Sequence, residues 1–344
     1  MDTNTTTANR LSTTDHNKRM KTINWGIIGL GKMARVFAED LVLVKDCNLY
    51  AAASRSQEKA DVFSKQFGTA KAYASYKELI EDQHVDIVYI ATPHPFHFEI
   101  AMKCLKAKKH VLCEKPMSLH LEHTQALIQE ARARNCFLME AIWTRFMPTT
   151  KKLLSLLEQN QIGELISIEA DFGFKAEYNE NSRLFNKSLG GSSLFDIGIY
   201  PIFLSLLCLG KPSEIKALAR KTSTQVDSFC SILFDYAADQ KAILKSTFEN
   251  HTPTEAILFG TKGSITIHRM FHQSEKIELR DEHRNTVELF HLPFRGNGYI
   301  NEIEEVNSCI YEGKTESDLL PLDFSLHLAE ILEDVKTEID LKYD

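Results

Sequence analysis

Near its N-terminus the chain runs from Trp25-Gly26-Ile27-Ile28 straight into Gly29-Leu30-Gly31-Lys32-Met33-Ala34. This is an apolar strand that turns on two glycines and opens a helix. Each small residue answers a geometric demand. Gly29 permits the tight turn, Gly31 lets a pyrophosphate approach the backbone, and Ala34 lets helix and strand pack closely, with the phosphates at the positive helix N-terminus. Its place between strand and helix makes G-x-G-x-x-A meaningful as a dinucleotide loop that includes Lys32 and Met33. No other stretch limits the fold as strongly, because such a turn belongs at the carboxyl edge of a parallel sheet.

The flanking sequence fits that sheet. From Ile23 to about Ala141, short β-branched runs alternate with helical periodicity, predicting strands at 23–29, 48–54, 86–90, 109–113 and 136–140. Helices are predicted at 31–43, 56–67, 76–81, 96–107 and 120–134. Val85-Asp86-Ile87-Val88-Tyr89-Ile90 is apolar on both faces, as a central strand covered by helices must be. The expectation for 22–142 is therefore an α/β Rossmann domain, a doubly wound parallel sheet. After Trp143 the texture becomes α+β, with a helix at 147–159 and strands at 162–174, 213–222, 226–236, 240–249, 254–260, 263–269, 276–281 and 286–291. Helices at 299–312 and 323–338 close the chain, the last one amphipathic and expected to pack back on the first domain. Residues 143–344 are read as an α+β domain with a large, mostly antiparallel, open-faced sheet, and residues 1–21 as a disordered tail without a secretory apolar core.

Composition narrows the function. A length of 344 residues suits two domains, and 43% hydrophobic with 25% charged residues is globular. The net charge of −7, with both signs interspersed, provides no basic stripe for nucleic acid. The longest apolar run, Ile197 to Leu209, falls short of the ~18 residues of a membrane span. Seven cysteines without a C-x-x-C pair read as reduced thiols of a cytoplasmic protein. His120-x-x-His123 lacks the H-E-x-x-H form, no other grouping has zinc spacing, and no metal is expected. Gly296-Asn297-Gly298-Tyr299 has no parallel strand before it and is read as a loop.

The second strand ends in Ser54-Arg55-Ser56, where an NAD site usually has a carboxylate for the ribose hydroxyls. A guanidinium and two hydroxyls suit a 2′-phosphate instead, so NADP is favoured over NAD, although Arg55 as a solvated helix-opening residue is the plain alternative. Cys113-Glu114-Lys115-Pro116 follows a strand ending at the ligand edge of the sheet. In the second half, Gly190-Gly191-Ser192-Ser193-Leu194-Phe195-Asp196-Ile197-Gly198-Ile199-Tyr200 places Asp196 and Tyr200 at i, i+4. Hydride transfer to a carbonyl requires a proton donor at the oxygen, and the reverse reaction requires a base. A tyrosine with an ordinary pKa of ~10 serves as that base when a neighbouring ammonium lowers it, which is the role expected of Lys115. Asp196 is expected to hold the lysine or to bind a substrate hydroxyl.

With these segments together, the chain resembles the glucose-fructose oxidoreductase/inositol dehydrogenase/rhizopine-catabolism family across nearly all of residues 22–338. The E-K-P and G-G-G-x-x-x-D-x-G-x-H/Y strings carry the resemblance. Leu138 through Phe146 and Asp196 through Tyr200 are similar to its dimeric dihydrodiol dehydrogenase/NADP D-xylose dehydrogenase branch. The resemblance implies Tyr200 as general acid/base assisted by Lys115, and a peptide before Pro116 that is cis. It also implies that Thr92-Pro93-His94-Pro95-Phe96-His97 lies beside the nicotinamide, with Thr92, Pro93, His97 and Glu114 near the cofactor. Trp143, Arg145 and Phe172, with Asp196 and Tyr200, are implied to line a pocket for a sugar or cyclic diol. A homodimer or higher homo-oligomer through the C-terminal sheet is implied as well. Ser192 departs from the third glycine of the pattern and leaves the local backbone in question. The rival reading is a non-catalytic, dinucleotide-sensing regulator, against which intact Lys115, Asp196 and Tyr200 speak.

Overall fold

A computed structural model describes residues 22–343, so the expected tail at 1–21 lies outside the described residues. The first half forms a six-stranded parallel sheet in the order β3-β2-β1-β4-β5-β6. Its strands are β1 (Ile23–Ile28), β2 (Cys47–Ala53), β3 (Lys71–Tyr73), β4 (Ile87–Ile90), β5 (His110–Glu114) and β6 (Leu138–Ala141). The helices between them are α1 (Lys32–Leu41), α2 (Gln57–Phe67), α3 (Tyr76–Glu81), α4 (His97–Lys106) and α5 (Leu121–Arg134). Alternation along β4 explains the layering: Ile87 and Tyr89 enter one apolar core with Trp25 and Phe37, while Val88 and Ile90 enter another with Ile100 and Leu127. Strand order reverses between β1 and β4, and ligands bind in the crevice at such a switch point. Ser56 caps α2 by accepting from the Lys59 amide at 3.4 Å, which fixes where β2 ends and the helix begins.

The second half forms an eight-stranded sheet in the order β14-β13-β12-β11-β7-β10-β9-β8. Its strands are β7 (Leu165–Gly173), β8 (Glu214–Lys221), β9 (Asp227–Asp235), β10 (Lys241–Thr247), β11 (Ala256–Gly260), β12 (Gly263–Ile267), β13 (Lys276–Asp281) and β14 (Thr286–His291). Every neighbouring pair is antiparallel except β7 with β10. In β9, Cys230, Ile232 and Phe234 are buried while Ser231 and Leu233 face outward. One face is therefore covered and the other open.

The covering helices are α6 (Pro148–Glu158) and α7 (Ile199–Leu209), followed along the chain by α8 (Ile300–Tyr311) and α9 (Leu322–Glu338). The helical stretch Lys187–Leu209, which ends in α7, is long and apolar enough to cross a membrane, but 83% of its apolar window is buried inside the fold. It is a core helix under β7 and β10. α9 packs against α5 and β6 on one side and against β8 and α7 on the other, so it spans both sheets. One apolar core runs continuously from Trp25 and Phe37 to Ile202 and Phe203, which fixes the two sheets relative to each other.

Candidate active site

The carboxyl ends of β1, β4 and β5 open into a cleft of about 640 Å³. Its lining includes Gly29, Gly31, Lys32, Met33, Ser54 and Arg55 from the first loops. Thr92, Pro93, His97, Glu114 and Lys115 follow from β4 and β5, and Asp196 and Tyr200 enter from the second half. At Gly29, φ is 91°, and a Cβ there would stand 2.7 Å from the Thr92 amide nitrogen, so only glycine fits the turn. A Cβ on Gly31 would meet nothing within 4 Å, which leaves its backbone open to the cleft. The Thr92 hydroxyl is buried without a partner. An open glycine turn, a helix N-terminus and an unpaired buried hydroxyl on one crevice fit a dinucleotide. At the end of β2, Ser54, Arg55, Ser56 and Lys59 line the cleft, and no carboxylate stands among them. Arg55 lies 6.0 Å from the Phe96 ring centre, which orients its guanidinium.

The β4 and β5 loops brace each other. The buried His97 ring spans the carbonyls of Thr92 and Pro116, 2.8 Å from each, and this places it as a strut between the loops. The Lys115–Pro116 peptide is cis. The Met117 amide donates to Glu140 Oε1 at 2.8 Å, and the Tyr89 hydroxyl donates to Glu114 Oε1.

The opposite wall is held by a residue absent from the sequence reading. Asp227, at the start of β9, is fully buried and accepts from the Ser192 hydroxyl, the Ser193 hydroxyl at 2.6 Å and the Leu194 amide at 2.8 Å. Ser192, the departure from the glycine pattern, thus gains a carboxylate partner. This clamp starts a π-helical turn, Leu194–Gly198, before α7 begins. The i, i+4 pair is accordingly presented by a π-turn rather than a regular α-helix, and such turns recur at functional sites.

The two halves meet at Lys115. Its Nζ donates to the Asp196 carbonyl at 2.5 Å, lies 3.8 Å from Asp196 Oδ1, and sits 4.9 Å from the centre of the Tyr200 ring. Arg183 grips the Asp196 carboxylate with both terminal nitrogens, at 2.7 and 3.3 Å. Burial alone would raise Asp196, but Lys115 and Arg183 outweigh it and hold the carboxylate at about 2. Burial lowers Lys115, with Asp196 and Glu114 opposing.

Tyr200 departs from expectation: burial first, then Glu114, Asp196 and Glu302, push its phenol well above 10, although the Trp143 indole donates to its oxygen at 3.2 Å. The expected lowering by Lys115 is not the dominant effect, because the ammonium faces the ring while carboxylates surround the site. Held protonated in this way, the phenol is a proton donor.

Trp143 stacks on Tyr299, with centres 4.6 Å apart, and Gly298 (φ 102°) lets that loop lie under the indole. Asp40 pins the same loop by accepting from the Asn297 and Tyr299 amides at 2.7 and 2.8 Å. Phe172 lies 5.8 Å from the Tyr200 ring and stacks on His272 at 4.4 Å. Arg145 donates to the Leu319 carbonyl at 2.7 Å, and of the five residues expected to line the substrate pocket only Asp196 and Tyr200 line the cleft itself, with Trp143 and Phe172 packed beside Tyr200. Arg183, His272, Lys59 and Asp227 escaped sequence reading, and Tyr299 entered it only as part of a loop. Only Lys59 carried a signal, one turn beyond Arg55 on a capped helix. Among the described residues, no group of three or more His, Cys, Asp or Glu is placed to hold a metal ion.

This architecture defines an oxidoreductase that uses a nicotinamide dinucleotide at the switch point of a Rossmann sheet. Residues 23–142 match the model of an oxidoreductase family with an NAD-binding Rossmann fold, and residues 150–266 match the C-terminal domain of the same GFO/IDH/MocA group. The chain belongs to that family and is an NAD(P)-dependent enzyme acting on CH–OH groups. It is 33% identical over 331 residues to trans-1,2-dihydrobenzene-1,2-diol dehydrogenase of Xenopus tropicalis, covering 93% of this chain and 98% of the relative. The Mus musculus protein of the same name is 34% identical over 333 residues, with the same coverage. Among solved structures, a 3-ketoreductase from Actinomadura kijaniata in complex with NADP and TDP-benzene superposes with a TM-score of 0.84 at 26% identity, covering 92% of this chain and 98% of that one. An aldose-aldose oxidoreductase from Caulobacter crescentus shares the fold, with a TM-score of 0.84 at 22% identity and coverage of 93% and 98%.

Proposed function

We propose that this chain is an NADP-dependent dehydrogenase of a sugar or cyclic diol, of D-xylose 1-dehydrogenase or trans-dihydrodiol dehydrogenase type, with residues 22–142 holding the dinucleotide and 143–344 the substrate. The observation that carries this reading is the convergence of Lys115, Asp196 and Tyr200 on the glycine-turn cleft. A nicotinamide dinucleotide held at the glycine turn would supply or accept the hydride for the reacting carbon. Tyr200 gives its proton to the carbonyl oxygen in reduction and takes one back in oxidation. Lys115, fixed by the Asp196 carbonyl, supplies positive charge that favours the phenolate as that proton leaves. Asp196, held by Arg183, keeps the lysine charged against its burial. Trp143 and Phe172, packed beside Tyr200, suit the apolar face of a ring held at that hydroxyl, and Ser54, Arg55 and Lys59 on the cleft suit the 2′-phosphate.

The open sheet face exposes Leu218 (80%), Ile243 (52%) and Leu233 (45%), an apolar surface suited to a second copy of the chain. Seven free thiols fit a reducing cytoplasm. The test is dinucleotide reduction measured over pentoses, hexoses, inositols and cyclic diols with NADP+ and NAD+. Turnover is expected with NADP+, and Tyr200→Phe is expected to lose roughly 10²–10⁴-fold in kcat while binding dinucleotide normally. Near-normal turnover by Tyr200→Phe would refute the mechanism.

A further inference from the structure

Lys115 stands on neither a helix nor a strand. β5 ends at Glu114, the Lys115–Pro116 peptide is cis, and α5 does not begin until Leu121. A side chain on such a loop keeps its place only if the loop's own backbone is held. At its tip, Lys115 Nζ donates to the Asp196 carbonyl at 2.5 Å, a contact supplied by the other half of the chain. Behind it, the peptide joining Pro116 to Met117 is gripped at both of its polar groups. The carbonyl lies 2.8 Å from His97 Nδ1, and the amide donates to Glu140 Oε1 at 2.8 Å. The carbonyl and amide of a trans peptide point in opposite directions, so His97 on α4 and Glu140 on β6 clamp this one peptide from two sides.

Glu140 is out of character for its place. It lies on β6 level with Cys113 of β5, between the buried Met139 and Ala141, and is itself only 3% exposed. An apolar side chain would fill that position without the cost of burying a carboxyl. Its Oε2 has no hydrogen-bond partner, so the hydrogen bonding of this side chain is directed at Met117 through Oε1. Glu140 does not line the cleft. Two routes lead from it to the reaction: the hydrogen bond that fixes the loop, and the influence of its charge on Lys115, which is minor beside those of Asp196 and Glu114.

We infer that Glu140 is a positioning residue for Lys115, holding the Met117 amide so that the ammonium meets the Asp196 carbonyl and the Tyr200 ring at once. This rests on the function proposed above and deepens it. The lysine is then set by three contacts from three elements: His97 and Glu140 fix the backbone behind it, and the π-turn fixes its tip. Glutamine at 140 would keep an acceptor for the amide and discard the charge, whereas methionine would discard both and fill the same space.

The experiment compares full-length wild type, Glu140→Gln and Glu140→Met, each with and without Lys115→Ala, in single turnovers on the best substrate of the panel. NADP affinity is measured in parallel by fluorescence titration. Glu140→Met is expected to slow turnover roughly 10–100-fold, the scale of a misplaced reacting group, with NADP affinity unchanged, and Glu140→Gln should recover most of that loss. On the Lys115→Ala background both changes should alter the rate by less than about twofold, because the group they position is gone. A merely structural role predicts the same loss with and without Lys115, and that result would overturn the assignment. A glutamine variant as slow as the methionine one, or a methionine variant as fast as wild type, would overturn it too. Hydrogen exchange of residues 113–119 requires no substrate and should be faster in Glu140→Met than in wild type or Glu140→Gln, whereas unchanged exchange would refute the clamp. Should wild type act on no alcohol despite binding NADP, the proposed function fails, and the exchange result still decides whether Glu140 holds the loop.

Discussion

Replacing Asp227 with alanine is expected to cost about 3–5 kcal/mol of stability and to reduce turnover while leaving dinucleotide affinity unchanged. The side chain is fully buried and receives three donors: the Ser192 and Ser193 hydroxyls and the Leu194 amide. Without it, the Ser193 hydroxyl keeps the Ser246 hydroxyl at 3.0 Å, and Ser192 Oγ still accepts from the Phe195 amide at 3.2 Å. The Leu194 amide and the Ser192 proton are stranded, each at ~1–3 kcal/mol, and a small cavity adds to that. The Asp227→Asn variant should do better. The oxygen of the new amide continues to accept from Ser193 and Leu194, and the Ser192 hydroxyl rotates to accept from its NH2, for a cost of about 1 kcal/mol. The expected order is therefore wild type, asparagine, alanine. Urea unfolding followed by circular dichroism measures stability, steady-state kinetics at saturating NADP+ measures kcat, and fluorescence titration measures NADP affinity. Turnover should fall with stability because the clamp starts the π-turn that carries Asp196. An alanine variant as stable as the asparagine one, with undiminished kcat, would refute the clamp.

Two further outcomes follow from the same geometry. Arg55→Ala should raise KM for NADP+ by roughly 10–100-fold with little effect on NAD+, the expected loss of a charge-assisted contact to phosphate, and equal effects on both dinucleotides would refute its role. Burial pushes the Glu140 carboxyl up to about 7, against the Met117 amide, the Ser325 hydroxyl and Lys115. A carboxyl raised above its unfolded value contributes stability that is full below the ordinary carboxylate range and lost as pH rises through about 7. The amount is ~3 kcal/mol, and Glu140→Gln should flatten urea midpoints between pH 5 and 8, whereas an unchanged slope would contradict this.

Most of the architecture was legible because its periods are strong: β1 with its glycine turn, and the two-faced apolar β4, allow few alternatives. β3 makes no pattern because it is three residues long, with Lys71 exposed and only Ala72 and Tyr73 half-buried. α7 was missed because a helix apolar on every side has no stripe to detect, and its run read only as a short membrane candidate. In the site, residues inside motifs could be named from sequence, including Lys115, Asp196 and Tyr200. The residues that hold them could not. Arg183 lies in an irregular segment, and Asp227 opens a strand where its side chain looks like any polar residue at a boundary. Their roles arise only when segments far apart in sequence meet. Arg145 shows the converse, since a residue beside Trp143 in sequence turns its guanidinium toward the Leu319 carbonyl.

The charge arrangement explains why the supporting residues matter as much as the reacting ones. Burial acts against the charged forms of Lys115 and Asp196 alike, and each offsets the other's loss of solvation. One lysine and one aspartate would form a pair with no net charge. Arg183 adds a second cation on the far side of Asp196, so the carboxylate is neutralised from outside and the Lys115 charge remains available to Tyr200. Because burial and carboxylates hold the phenol above its ordinary pKa, that retained charge is what allows the tyrosine to lose its proton during reduction without becoming a permanent phenolate.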